Sequence, residues 1–347
     1  MIDKAFCMSS YLALRYVEKR GVDFCEQYRY KSPVLPAEEK RILVRTAGDV
    51  GRAIDAQLMP LKQKYHKIGI LLSGGMDSAI LASYLPGCNA YTFRFMNGSF
   101  QSEELHRAER FAAYYGLNLH YVDITWESVT ACLPSVMKEK GGPVHSIEPQ
   151  ICQGALQAKA DGVDLMIIGD GSDYVFGGMD QLLSKDWAFD EFMKRCIYVE
   201  PSEVLVNPVS VQYLFERYRL GRDIDFLKFY DTVITEESYG SYANAFEAAG
   251  LSYYDPYELL KMTEPLDLKR IRSGESKYLI RELFKMRYPD IPVPEKIPMP
   301  RPVDAYFKNW EGPKRPEFKS ELDMSRYTGN QKWLIWCLEQ FLKDRKS

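Results

Sequence analysis

The sequence predicts an α/β fold, a doubly wound parallel sheet continued by a mostly helical C-terminal region. Three observations predict it. Between residues 68 and 168, short apolar runs alternate with helix-length segments, the pattern of a parallel sheet wound by crossover helices. Two of these runs end in glycine-rich turns, at the carboxyl strand ends where such sheets carry ligands. From about residue 186, Tyr, Phe and Leu recur with charged residues at helical spacing, and strand-like runs become scarce.

The elements follow in order. Residues 1–45 form a leading stub, with a short helix expected over 8–17. Ile42, Leu43, Val44, Val50, Ile54, Leu58 and Leu61 predict one long amphipathic helix over 38–65. Ile68-Gly69-Ile70-Leu71-Leu72 is a buried strand, and the helix after its turn stops at Pro86-Gly87. A strand over 90–95 precedes a helix over 102–115, whose Glu103 and Glu104 meet the helix dipole and whose stop is Gly116. A strand over 118–124 and a helix over 126–140 lead to the break Gly141-Gly142-Pro143. A helix over 147–160 and a strand over 165–168 complete the alternation. The segment 289–302 holds six prolines, which exclude helix interior and central strand and suit a lid. Three regions result: a stub (1–45), an α/β core (46–185) and a helical region (186–347).

Composition narrows the function classes. At 347 residues, 46% hydrophobic and 27% charged, the chain has the make-up of a soluble globular protein. A net charge of −3, with short basic runs only at 269–272 and 343–346, argues against an extended nucleic-acid surface. No apolar run approaches the roughly 20 residues of a membrane span. Seven scattered cysteines without C-x-x-C predict thiols in a reducing, cytoplasmic setting. The four histidines lack ligand spacing, so a structural zinc site is not expected.

The first turn is Ser73-Gly74-Gly75-Met76-Asp77-Ser78. Two glycines let the backbone approach an anion, the following helix directs N–H groups and dipole at it, and the serines add donors. Asp77 would repel phosphate unless a divalent cation lay between them. No Lys follows the glycines, so this is not a G-x-x-x-x-G-K-[ST] loop. The local reading is a site for magnesium-bound polyphosphate. The second turn, Gly169-Asp170-Gly171-Ser172-Asp173-Tyr174-Val175-Phe176-Gly177-Gly178, offers Asp173 as a second cation ligand.

Together the two turns closely resemble the synthetase half of asparagine synthetase, a PP-loop ATP pyrophosphatase related to β-lactam synthetases and lasso-peptide cyclases. That family reads S-G-G-x-D-S and then L-x-G-x-G-x-D-E-x-F-G-G-Y. Lys277 to Phe284 resembles K-x-x-L-R-x-x-F, Gly250 to Asp255 weakly resembles R-x-P-F-L-D, and Lys296 takes the place of the R-x-K-x-x-F lysine. The resemblance spans roughly 45–310, and residues 8–36 look like the stub that joins the family's glutaminase half to its synthetase half. The family's N-terminal catalytic Cys is replaced by Ile2, so no glutamine hydrolysis is expected. Tyr174 replaces a usual Glu, and the arginine of R-x-P-F-L-D is missing. Asp170 stands where asparagine synthetases have Glu, a position facing the second substrate, which leaves the acid open.

The resemblance implies adenylation of a small carboxylate by ATP, then attack by ammonia or an amine, with a separate amidotransferase as one nitrogen source. It places the nucleotide on Leu72, Ser73, Gly74, Gly75, Asp77, Ser78, Phe93 and Gly169, and Mg²⁺ on Asp77 and Asp173. Lys296 is the expected electrostatic catalyst, and Asp170 the contact for a substrate ammonium or the attacking amine's proton. Lys277 and Arg281, four apart on one helix face, read either as a surface or core-edge pairing or as a phosphate contact. Two other readings compete: a PP-loop enzyme modifying tRNA or a nucleobase, and a nucleotide-binding protein without turnover.

Overall fold

The computed structural model describes residues 1–96, 102–297 and 301–343. Positions 298–300 of the proline-rich segment and 344–346 of the last basic run lie outside them. Five strands form the central sheet: β1 (Ile68–Leu71), β2 (Asn89–Phe95), β3 (Asn118–Ile124), β4 (Leu165–Ile167) and β5 (Ser252–Tyr254). All pairings are parallel, in the order β3-β2-β1-β4-β5. The winding reverses between β1 and β4, the strands that precede the two glycine-rich turns.

Alternation along β4 shows how the sheet fills both faces. Leu165 and Ile167 join one buried cluster, Met166 and Ile168 the other. On the first face lie α2 (Ala47–Lys64), α3 (Met76–Ala82), α4 (Ser102–Tyr114) and α9 (Tyr278–Arg287). The other, larger cluster takes in α1 (Lys4–Leu14), α5 (Trp126–Lys140), α6 (Glu148–Ala160), α8 (Thr235–Ala249) and α10 (Gly329–Lys343). Trp333 is buried there, and Trp336 packs against it. Helix α7 (Gly171–Val175) is the single turn that carries Asp173.

Three expectations change. Residues 38–65 are not one helix. Ile42–Val44 is a strand paired in parallel with Leu260–Met262, and α2 begins only at Ala47, where Thr46 and Asp49 form a reciprocal capping box. The helical region also supplies a strand to the central sheet, since β5 pairs with β4. The first helix spans Lys4–Leu14, earlier than expected. No disulfide joins the seven cysteines, and among the described residues no helix is long and apolar enough to cross a membrane.

Candidate functional site

The turn after β1 is pinned by its own hydroxyls. Ser73 N–H donates to Ser78 Oγ at 3.0 Å, the two hydroxyl oxygens are 3.0 Å apart, and Gly75 N–H donates to Ser73 Oγ at 3.2 Å. A Cβ on Gly74 would stand 2.7 Å from the Glu104 carbonyl oxygen, so glycine permits the approach of α4. Glu103 pairs with Arg107 at 2.9 Å. Glu104 does more than meet a helix dipole. Burial pushes its carboxyl up to about 7, and a hydrogen bond from the Gly74 backbone opposes that rise. A backbone donor of the turn thus already holds an acidic oxygen.

The second turn is clamped by the end of β5. Gly171 N–H donates to Asp255 Oδ2 at 2.7 Å, and Tyr257 N–H to Asp255 Oδ1 at 2.9 Å. Ser172 Oγ donates to Asp77 Oδ1 at 2.6 Å and ties the two turns together. Across them lies Lys277, whose Nζ is 2.7 Å from Asp77 Oδ2 and 2.5 Å from Asp173 Oδ1. Lys296 Nζ sits 3.0 Å from the same Asp173 oxygen and donates to the Gly178 carbonyl at 2.7 Å. Burial would raise the Asp173 pKa, but the Lys277 and Lys296 cations outweigh it and hold the carboxyl below its ordinary value. A Cβ on Gly178 would fall 1.9 Å from Asp173 Oδ1 and 2.2 Å from Lys277 Cε, so any side chain here displaces those two groups.

Ser73, Gly74, Gly75, Asp77, Ser78, Asp173 and Lys296 therefore gather at one crevice. Asp170 lies behind them, its Oδ2 accepting from Ser238 Oγ at 2.7 Å. Burial pushes the Asp170 pKa well above the carboxylate range; Ser238 opposes this, and Asp255 and Asp173 add to it. Gly169 packs under the crevice, its Cβ position 3.1 Å from Leu81 and 3.3 Å from Tyr257. Leu72 is 2% exposed and packs in the core, and its backbone N–H donates to the Tyr91 carbonyl at 2.9 Å. Phe93 is half-buried against Gly154.

Of the two readings for Lys277, the structure removes the helix-face pairing with Arg281. Lys277 is the N-cap of α9, left-handed at φ 53°, and its side chain is 4% exposed between the two aspartates. Arg281 Nε instead donates to the Ser276 carbonyl at 2.8 Å. The available signal was Lys277's place at the head of the K-x-x-L-R-x-x-F match. Asp255 carried a similar signal in the weaker segment, whereas Ser172 carried none beyond its place between the motif residues.

Two carboxylates from separate turns thus converge on one cation. Among the described residues no third His, Cys, Asp or Glu joins them in a metal-binding group. One or two protein carboxylates, completed by phosphate oxygens and waters, is the donor set that Mg²⁺ takes, so the residues fit that ion.

A scan of the sequence against protein-family models matches residues 52–255 to asparagine synthase. The chain belongs to the asparagine synthase family. Both turns and Asp255 fall inside the matched span, and Lys277 and Lys296 beyond it. Comparison with curated proteins found no match. Among solved structures the chain is similar to NMN synthetase from Francisella tularensis, at 16% identity and a TM-score of 0.30, over 39% of this chain and 60% of that one. It is also similar to the U34-tRNA thiolase NcsA from Methanococcus maripaludis with its 4Fe-4S cluster, at 13% identity and a TM-score of 0.33, over 86% of this chain and 80% of that one.

Proposed function

We propose that this member of the asparagine synthase family is an ATP-dependent carbon–nitrogen ligase. It adenylates a small carboxylate, releases pyrophosphate and passes the acyl group to ammonia or an amine, from solution or from a separate amidotransferase. One observation carries the reading: Asp77 and Asp173, from the two turns flanking the point where the winding reverses, share a single cation.

In the reaction a carboxylate oxygen bonds to the α-phosphorus as the α–β bridge breaks. The amine nitrogen then bonds to the acyl carbon, AMP departs with that oxygen, and the amine gives up a proton. Ser73, Gly74, Gly75 and Ser78 hold the outer phosphates through backbone N–H and hydroxyl donors. Asp77 and Asp173 would hold Mg²⁺, which would supply charge neutralisation to the polyphosphate. Lys277, whose Nζ lies between the two aspartates, would donate to phosphate oxygens. Lys296, already beside Asp173, stabilises charge growing on the α-phosphate and carboxylate; losing one such donor typically costs about 2.7–4 kcal/mol in the barrier. Asp170 takes the amine's proton or holds a substrate ammonium, whose positive charge would offset the burial that raises its pKa. Leu72, Phe93 and Gly169 border the adenosine.

The test is isotopic. A turnover supported by an ¹⁸O-carboxylate should deliver one label to AMP and none to pyrophosphate. Label-free AMP, or ADP as the nucleotide product, rejects the reading.

A further inference from the structure

Lys296 reaches the crevice from a segment that has little of its own to hold it. Residues 292–297 belong to no helix or strand, and Pro292 and Pro294 have no backbone N–H to donate. Val293 packs against the buried cluster of the first face. Among the described residues, one hydrogen bond alone reaches the main chain of this stretch. It comes from Arg107 on α4, whose NH1 donates to the Glu295 carbonyl at 2.7 Å, one residue before Lys296.

Arg107 is itself aimed. Its Nε donates to Glu103 Oε1 at 2.9 Å, one turn earlier on the same helix. The guanidinium is planar, so holding Nε fixes the direction in which NH1 points. The Arg107 side chain is 21% exposed against 65% for Glu103, which sets the guanidinium inward of its partner. The helix behind it is anchored to the other half of the site. Ala108, Phe111 and Ala112 are buried in the first-face cluster. At the start of α4, the Glu104 carboxyl accepts from the Gly74 N–H of the nucleotide turn. The turn, α4, Arg107 and Lys296 form one connected series, which ends where Lys296 Nζ meets Asp173 at 3.0 Å and the Gly178 carbonyl at 2.7 Å.

We propose that Arg107 is a positioning residue: it straps residues 292–297 to α4 and so sets Lys296 at a fixed place relative to the phosphate-binding turn. Arg107 does not touch the reacting atoms. Charge growing on the α-phosphate is stabilised by a donor already in place, and an ångström of misplacement costs about 100-fold in rate. Arginine suits the task because it donates in two directions at once, whereas a lysine would divide one nitrogen between Glu103 and the carbonyl.

The catalytic consequence rests on the adenylation reading, and the experiment separates the two. Lysines are acetylated with an N-hydroxysuccinimide ester and read by mass spectrometry in wild type, Arg107→Gln and Arg107→Lys, without substrates. Loss of the strap should speed acetylation of Lys296 roughly 10-fold, the lower end for a hydrogen bond from a charged donor because water reaches this one, with part of the protection recovered in Arg107→Lys. Lys140, buried against Glu148 on α5, should not change. An unchanged Lys296 rate, or an equal rise at Lys140, overturns the strap. ATP–pyrophosphate exchange, with aspartate, glutamate, succinate or acetate as the acid, reads the consequence. Arg107→Gln should lower kcat about 10-fold at an unchanged ATP KM, and should add no further loss to Lys296→Ala. An unchanged kcat, a change confined to the ATP KM, or a full second loss in the double variant overturns the positioning role. If no acid drives exchange in wild type, adenylation is what fails, and the acetylation rates decide the strap.

Discussion

Lys277 occupies a left-handed N-cap, and its side chain is 4% exposed while those of Asp77 and Asp173 are 22% and 28% exposed. Removing a fully buried partner costs about 3–5 kcal/mol, and the aspartates' access to water brings the figure here nearer 2–3 kcal/mol. Lys277→Met should lower stability to urea by that amount and be restored by Mg²⁺ more than wild type is. An equal response to Mg²⁺ in both proteins contradicts a shared cation position. His145 gives a pH dependence. Burial, with Arg15 and Arg301, lowers its pKa from 6.5 to about 3 against the pull of Glu237. Between those values the unfolded chain binds a proton that the folded chain refuses, so stability falls as pH falls. About 2 kcal/mol should be lost from pH 6.5 to about pH 5. Glu237 acts in the same direction lower down: burial opposes, but Arg15 and His145 outweigh it and hold the carboxyl at about 2, so its contribution is lost below 4.5. Urea titrations at both pH values should show the upper drop in wild type and little of it in His145→Gln; an undiminished drop in the variant rejects the assignment.

At the level of elements, the turns are built by close contacts at their glycines. Gly178→Ala would put a methyl group onto Asp173 and Lys277. The protein should still fold, since the clash is with side chains at the crevice, but pyrophosphate exchange should drop at least about 100-fold, the penalty of an ångström's misplacement. Exchange within a few-fold of wild type would refute the geometry. The same scale explains what the sequence disclosed. Strands β1 to β4 and the helices between them were legible because each is bounded by its own apolar period and stop residues. Strand β5 was not, because Ser252–Tyr254 is short, lacks an apolar run and gains its pairing from β4, far away in sequence. Ile42–Val44 was absorbed into a helix for the same reason, since its partner is Leu260–Met262. The pairing of Lys277 with Arg281 fails because helical spacing presumes helical φ, and the φ of Lys277 is 53°.

Across the whole molecule, the crevice joins residues that no local pattern could associate. Asp77 and Lys277 are separated by 200 positions, and Asp173 and Lys296 by 123. The two turns were readable because each carries its chemistry within a few residues. The lysines that complete them arrive from elements folded back across the sheet, and the Arg15–His145–Arg301 cluster assembles from three distant segments. The larger core unites α1 with α10, so the chain's two ends share the packing behind that cluster. The central claim is that Asp77 and Asp173 jointly hold a magnesium–ATP complex at the reversal of the sheet. The most direct measurement is ATP–pyrophosphate exchange in Asp77→Ala and Asp173→Ala, with circular dichroism as the check on folding. The account predicts that each folded variant loses exchange altogether; wild-type exchange in either one contradicts it.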